Sequence, residues 1–360
     1  MLGYNRDDGL GKKMLKRYVT TINVMVCLVV IGMLIPHLGY AAGAASALAE
    51  SPEKIRVLID SDANNETDDQ HAIAYALFSD DVFDVEGITV NKTRNGGDVR
   101  EQMKEAVRVV KLCNRYLKVP LYRGANGIFE DILPNIDMPY FDGYEAVNFI
   151  IQQAKIKSDR KLVLLPIGKL TNIALALARD PSIIPNVKVV WLGSNYPKPG
   201  EYNMMDDLSA VRYLLESSVE FEMVTVRYKD TVNPGGTWVI KAYQEEIFRR
   251  MPGLGPHLSQ SVTGRHGGEF SCFGDYSKSL FSCARQHGNP PYRSLFDVGA
   301  IAVVKNPDWA RSTVMPRPAL VGNGWEERPD NPMKMIVWDD FDADAILEDF
   351  FGTMEKSGSK

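Results

Sequence analysis

Five carboxylates crowd one short stretch of the chain: Asp60, Asp62, Glu66, Asp68 and Asp69. They cannot all stay ionised in so small a volume unless a cation or several hydrogen-bond donors offset their repulsion. An oxygen-rich set of this kind suits a hard cation, Ca2+ or Mg2+. A water bound to such a cation loses its proton more readily, and a neighbouring carboxylate can take that proton as general base. An EF-hand does not fit the stretch: Asn65 stands where that loop needs Gly, His71 where it needs Glu, and a strand precedes. A plain solvated turn is the other bland reading, and the number of carboxylates directly after a buried strand argues against it.

The elements around the stretch say how the acids are held. Residues 57–59 form a short apolar run with β-branched members, and Ala72, Ile73, Ala76 and Leu77 recur at helical spacing. Strand, acidic loop and helix in that order place functional groups at the carboxyl edge of a parallel sheet. Further strands are predicted at residues 85–90, 119–122, 162–166, 187–192, 221–226 and 335–337. Helices are predicted near 98–116, 144–155, 208–216 and 342–351, and residues 167–177 read as a turn opening another helix. Residues 229–292 lose this regularity, with Gly235-Gly236, Gly267-Gly268 and Pro290-Pro291, and read as helices and loops covering the site. The alternation predicts an α/β fold, an open and mainly parallel sheet with helices on both faces, in a single domain over residues 48–360.

The whole chain narrows the function classes. It has 360 residues, 45% of them hydrophobic, and a formal net charge of −5, which gives no reason to expect a nucleic-acid partner. The first 47 residues differ from the rest. Lys12, Lys13, Lys16 and Arg17 precede an apolar run at 19–34, and Ala42-Gly43-Ala44 and Ala45-Ser46-Ala47 both read as cleavage sites. This is the pattern of a secretory signal peptide over residues 1–47 and predicts an exported, periplasmic or secreted protein. Thr20, Thr21, Asn23 and Pro36 interrupt the run, so no stable membrane insertion is expected after cleavage. Cys113, Cys272 and Cys283 remain beyond it; a Cys272–Cys283 bridge pinning a loop fits an oxidising compartment, and Cys113 reads as a buried thiol. No Cys/His spacing resembles a zinc site.

In these residues the chain resembles the inosine–uridine-type nucleoside N-ribohydrolases, which carry an Asp-x-Asp-Pro-Gly-x-Asp-Asp loop after the first strand. Here the motif is Asp60-x-Asp62 followed by Asp68-Asp69. Gly87-Ile88-Thr89-Val90-Asn91 is similar to the family's second strand, and Gly168-Lys169-Leu170-Thr171-Asn172 to its Gly-x-Leu-Thr-Asn turn. Glu201-Tyr202-Asn203 is similar to its Glu-Phe-Asn sugar-binding segment, and Phe296-Asp297 to the place where it often has His-Asp. The matches run in the right order through most of the chain after the leader.

The resemblance implies a Rossmann-like sheet of the nucleoside hydrolase type and Ca2+-dependent hydrolysis of an N-riboside. It implies that Asp62, Asp69, Asp297 and the carbonyl of Ile167 hold Ca2+, with Asp62 as general base. It further implies that Asp68 and Asp297 meet sugar hydroxyls, that Asn91 and Asn203 grip the sugar, and that Glu201 meets its 5′ end. The partner implied is a small nucleoside or riboside. The open sheet also leaves edges through which copies could pair, although no stretch demands it.

Two departures stand out. The acidic spacer is two residues longer than the common form, adding the polar groups of Asn64, Asn65 and Glu66, which could suit a different sugar or 5′ substituent. Phe296 stands where many members have a His able to protonate the leaving base, and Phe cannot donate a proton. A base could stack on Phe296 or Trp238, though both also fit a core. Taken alone, Asp297 reads as a helix cap, Glu201 and Asn203 as loop polar groups, Thr171 and Asn172 as caps, and His71 and His266 as packing or surface residues.

Two rival readings remain open on sequence. A haloacid-dehalogenase-like phosphatase also places Asp-x-Asp after a strand, but wants Thr or Val where Asn64 stands and its partner acids late in the chain. An exported sugar- or nucleoside-binding protein without turnover is the other, favoured by Phe296 and opposed by the presence of Asp62.

Overall fold

The computed structural model describes residues 53–358; the expected leader at 1–47 lies outside them. The acidic stretch follows a strand, β1 (Ile55–Ser61), whose last six residues are all buried. Burial on both faces is what a central parallel strand demands, and it explains the unbroken apolar run. Five more parallel strands follow: β2 (Phe83–Val90), β3 (Leu121–Arg123), β4 (Leu162–Pro166), β5 (Val187–Leu192) and β6 (Glu220–Val224). The sheet runs β3, β2, β1, β4, β5, β6, then Lys334–Asp339 in parallel and Arg311–Pro316 antiparallel at the edge.

Side chains alternate across this sheet with the period of two that a strand imposes. Val57, Ile59, Val163, Leu165 and Val190 enter one apolar core. Leu58, Leu162, Leu164, Val189 and Trp191 enter the other. On the first face lies α1 (Asp68–Phe78), all of whose residues are buried, together with the helix Phe296–Lys305. The helices Tyr144–Ala154, Thr171–Arg179 and Leu208–Glu216 cover the second. This is the α/β arrangement that the alternation predicts.

The chain order reverses between β1 and β4, since β1 continues outward to β2 while β4 starts the opposite half. Loops at the carboxyl ends of these two strands diverge to opposite faces and leave a crevice, the usual ligand position in open α/β sheets. The acidic loop leaves β1 there, and Ile167 leaves β4 there, its amide donating to the Asp60 carbonyl at 2.8 Å.

The structure departs from the sequence reading in places. The helix expected over 98–116 is Val99–Leu112, capped by Asp98 and closed where Asn114 turns left-handed at φ 54°. The antiparallel edge strand Arg311–Pro316 was absent from the expected elements; its first four residues are exposed and carry no core period. The Cys272–Cys283 bridge is corrected. Cys272 precedes and Cys283 ends an 11-residue helix, so their Cα atoms lie about 16 Å apart by helical rise, beyond any disulfide. Cys113 is the expected buried thiol, its ionisation suppressed by burial.

Candidate active site

Asp60 is the anchor under the crevice. It is completely buried and accepts hydrogen bonds from Thr89 Oγ1 at 2.6 Å, Asn172 Nδ2 at 2.7 Å and Asn91 Nδ2 at 2.9 Å. Burial pushes its pKa up, and these three donors pull against that shift. Asn172 also donates to the Val90 carbonyl at 3.2 Å and accepts from the Ala125 amide at 2.9 Å. Thr171 bonds to Asp207. Neither residue therefore caps its helix, as the sequence alone suggested: Asn172 cross-links the strand ends, and Thr171 ties its helix to Asp207, the cap of Leu208–Glu216. Gly168 is required at its turn, because a Cβ there would sit 2.8 Å from Asp62 Oδ1 and 2.9 Å from the Asn91 side chain.

Above this anchor opens a cavity of about 460 Å3 whose wall includes Asp62, Asp68, Asp69, Ile167, Glu201, Asn203 and Asp297. Every site residue read from the sequence is thus brought to one place except Asn91, which lies beneath the wall on Asp60. Its Oδ1 is buried without a partner among the described residues.

Asp68 and Asp69 open α1, and Asp297 lies in the first turn of Phe296–Lys305, so two helix N-termini lend partial positive charge to these acids. Among the described residues, Asp68, Asp69 and Asp297 form a buried group whose ligand oxygens lie within 4.8 Å of one another. Burial comes first and mutual repulsion second in raising Asp69 and Asp297 well above the usual carboxylate range. Asp62 and Asp68 are pushed up to about 7 by burial, with Thr93 opposing the shift at Asp62 and Glu66 adding to it at Asp68.

An all-oxygen, buried and mutually repelling set of carboxylates fits a hard divalent cation, which would remove the repulsion that protons otherwise relieve. The close trio contains Asp68, given to the sugar in the sequence reading, where that reading put Asp62. Asp62 stands beside the trio on the same wall, with Thr93 Oγ1 donating to its Oδ2. Asp69 Oδ1 accepts from Ser61 at 2.7 Å.

The sugar-segment residues are partly committed to the backbone. Glu201 Oε2 accepts from the Ser194 and Met204 amides, both at 3.0 Å. Asn203 Nδ2 donates to the carbonyls of Ile167 and Leu192, both at 3.1 Å, which leaves its Oδ1 for a ligand. The longer spacer is clamped from outside. Arg265 donates to the carbonyls of Asn64 at 3.0 Å and Glu66 at 3.1 Å, and Arg293 pairs with the Glu66 carboxylate. Asn65 meets Tyr202 across the cavity mouth, Oδ1 to hydroxyl, at 3.2 Å.

The cavity also has residues the sequence reading missed: Asn195, Tyr228, Arg285, His287 and Arg293. Tyr228 sits between Arg227 and Lys229, both left-handed at φ 47° and 51°, a turn pinned by the buried Arg227–Asp339 pair at 2.7 Å. Phe296 lines the cavity and stacks on Trp238, ring centroids 5.9 Å apart. His71 is a packing residue: it is buried, with Nε2 2.7 Å from Ser277 Oγ and its ring against Phe273 and Phe281.

Comparison with known proteins gives a consistent picture. A sequence model of the family described as inosine-uridine preferring nucleoside hydrolase matches residues 57–347. The pyrimidine-specific ribonucleoside hydrolase RihB of Escherichia coli O157:H7 (strain EC4115 / EHEC) is 27% identical over 197 residues, 48% of this chain and 59% of that protein. The RihB of Escherichia fergusonii matches to the same extent. The match thus spans less than two thirds of the length of these curated relatives. Among solved structures, the plant nucleoside hydrolase PpNRh1 has a TM-score of 0.62 at 17% identity, covering 84% of this chain and 99% of its own. A purine-preferring ribonucleoside hydrolase from Gardnerella vaginalis has a TM-score of 0.61 at 20% identity, covering 84% and 98%. These two likenesses concern the fold.

Proposed function

Because the chain belongs to the inosine-uridine preferring nucleoside hydrolase family, we propose that it cleaves the N-glycosidic bond of a ribonucleoside or related N-riboside, with Ca2+ in the acidic pocket. The observation that carries this reading is the trio Asp68, Asp69 and Asp297 standing beside Asp62, Glu201 and Asn203 in one cavity. The trio and the Ile167 carbonyl would hold the ion. When bound, it would polarise a water and fix two sugar hydroxyls.

The remaining work falls to the side chains. Thr93 occupies Asp62 Oδ2, so Oδ1 is the atom free to take the proton of the attacking water. The water oxygen bonds C1′, the C1′–N bond breaks, and its electron pair leaves with the base. The positive charge that develops on the sugar is favoured by the surrounding carboxylates. Asn203 Oδ1 accepts from a sugar hydroxyl and Glu201 faces the 5′ end. Phe296 presents an apolar ring to the leaving base and keeps water from it, but gives it no proton.

The reading also includes export through a leader at residues 1–47, checked by the N-terminal sequence of the protein recovered outside the cytoplasm. The activity is tested by ribose release from a panel of nucleosides and p-nitrophenyl riboside, with Ca2+ and with chelator, beside Asp62→Asn. Release that needs the metal and Asp62 is the expected result. Tight Ca2+ binding with no release from any substrate would instead favour a binding protein.

A further inference from the structure

The floor of the cavity is acidic, but its outer wall carries Arg285, His287 and Arg293 with the rings of Tyr228 and Phe296. The cations around this wall are not equivalent. Arg293 is buried and neutralised by Glu66. Lys229 lies over the Tyr228 ring at 4.9 Å, and Lys241 over the Tyr292 ring at 5.1 Å. Arg285 is exposed, and its guanidinium has neither an ion pair nor a hydrogen bond among the described residues.

The loop carrying Arg285 is nonetheless well held. Arg293 Nη1 donates to the Arg285 carbonyl at 2.9 Å, and Gln286 Nε2 donates to the Phe281 carbonyl at 2.8 Å. His287 and Tyr292 exchange backbone hydrogen bonds, both at 2.9 Å. An unpaired planar guanidinium on an ordered loop at the wall of a ligand cavity is a ready partner for a carboxylate.

We propose that Arg285 selects N-ribosides whose leaving base carries a carboxylate. This rests on the ribohydrolase reading and deepens it. The sugar must lie on the acidic floor, because the general base and the hydroxyl-binding acids are there. The base then projects from C1′ toward Phe296 and the cationic wall. Four buried carboxylates on the floor exclude an anion from the sugar side, so an acidic substituent both finds a partner at Arg285 and fixes the orientation. A 5′-phosphate fits less well, since Glu201 lies at that end and would repel it. The same wall offsets the charge that the base gains when the C1′–N electron pair leaves with it. That matters here because Phe296 supplies no proton.

The test compares kcat/KM for matched pairs differing in one carboxylate: uridine against orotidine, and nicotinamide riboside against nicotinate riboside. The mature protein is used with Ca2+, at low and high salt. The carboxylate member is expected to lead by about tenfold, the size of about 1.4 kcal/mol of charge pairing. The lead shrinks at high salt, falls to about one in Arg285→Gln and inverts in Arg285→Glu, with circular dichroism showing both variants folded. Ribose from the members without a carboxylate with a ratio of one or less, or a ratio that survives Arg285→Gln, overturns this inference alone. No ribose from the four, with release from another nucleoside of the panel, also overturns the inference alone; no release from any nucleoside of the panel overturns the ribohydrolase reading and the inference with it.

Discussion

The floor and the outer wall of the cavity are built on opposite principles. Floor carboxylates stand at strand ends and helix starts, buried, with Asp62 and Asp69 each held by a neighbouring side chain and Asp60 anchored beneath them. Wall residues stand outside the main sheet: Tyr228 in a turn with two left-handed neighbours, Arg285 and His287 between a helix and a short strand, Arg293 on that short strand and Phe296 at the start of the helix that carries Asp297. Sheet register leaves the floor little freedom to change, whereas the wall can change without disturbing the sheet. On the proposed reading, chemistry would reside in the floor and choice of substrate in the wall. Substitutions in the floor should remove activity or stability, and those in the wall should change ratios between substrates.

The largest effect expected is at Asp62. Asp62→Asn keeps the shape and the Thr93 contact but removes the proton acceptor, so kcat should fall about 10^3-fold with the fold intact. Stopped assays of ribose release with a thermal melt as control measure it. A fall of tenfold or less would break the contrast, since the base would then lie elsewhere. Next comes the anchor beneath the floor. Asn172→Ala strips a donor from Asp60 and orphans the buried Ala125 amide, while the Val90 carbonyl keeps its bond from the Gly124 amide. These losses cost about 2–3 kcal/mol in denaturant unfolding.

This contrast also explains what could be read from the sequence. Asp60, Asp62, Asp68 and Asp69 announce themselves because acid density after a buried strand is a local signal. Leu162–Pro166 and Val187–Leu192 were legible to the residue, as continuous apolar runs of central strands. Asp297 was found only through its resemblance to the family's motif, since one acid early in a helix has several meanings. Asn91 was legible as a position but not as an orientation: its side chain turns down to Asp60, which no local pattern encodes. Arg285 and His287 were missed because residues 229–292 have neither strand nor helix period over most of their length, and Tyr228 because it sits in a turn between two left-handed residues just before them. The helix Phe273–Cys283 did carry a signal, Phe273, Tyr276, Leu280 and Phe281 at helical spacing, and reading it would have removed the disulfide.

A third experiment separates protons from cations on the floor. Asp62 and Asp68 rise from an ordinary 3.8 to about 7 when folded without metal, chiefly through burial. The folded state then binds protons that the unfolded chain has already released, so stability falls as pH rises from about 4 to about 7. Chelated protein should therefore melt lower at pH 7.5 than at pH 5. Adding Ca2+ should recover roughly 5 °C at the higher pH, at a hundredfold excess over Kd, and less at the lower. Equal recovery at both pH values would mean that the cation does not replace protons on these acids.

The smallest effect sharpens the contrast from the side of the wall. Glu66 belongs to the longer spacer and neutralises Arg293; its own side chain is 43% exposed but Arg293 is buried, so the pair counts for more than a surface pair. Glu66→Gln should destabilise the fold by about 1 kcal/mol in denaturant unfolding. It removes one negative charge from the cavity mouth and leaves the buried Arg293 uncompensated beside Arg285 and His287. The preference for a carboxylate-bearing base over its neutral counterpart should then rise about threefold, chiefly through KM, because the charge acts on binding and not on the proton at Asp62. A change carried by kcat alone would show that the spacer reaches the reacting atoms, and that floor and wall are coupled through Glu66.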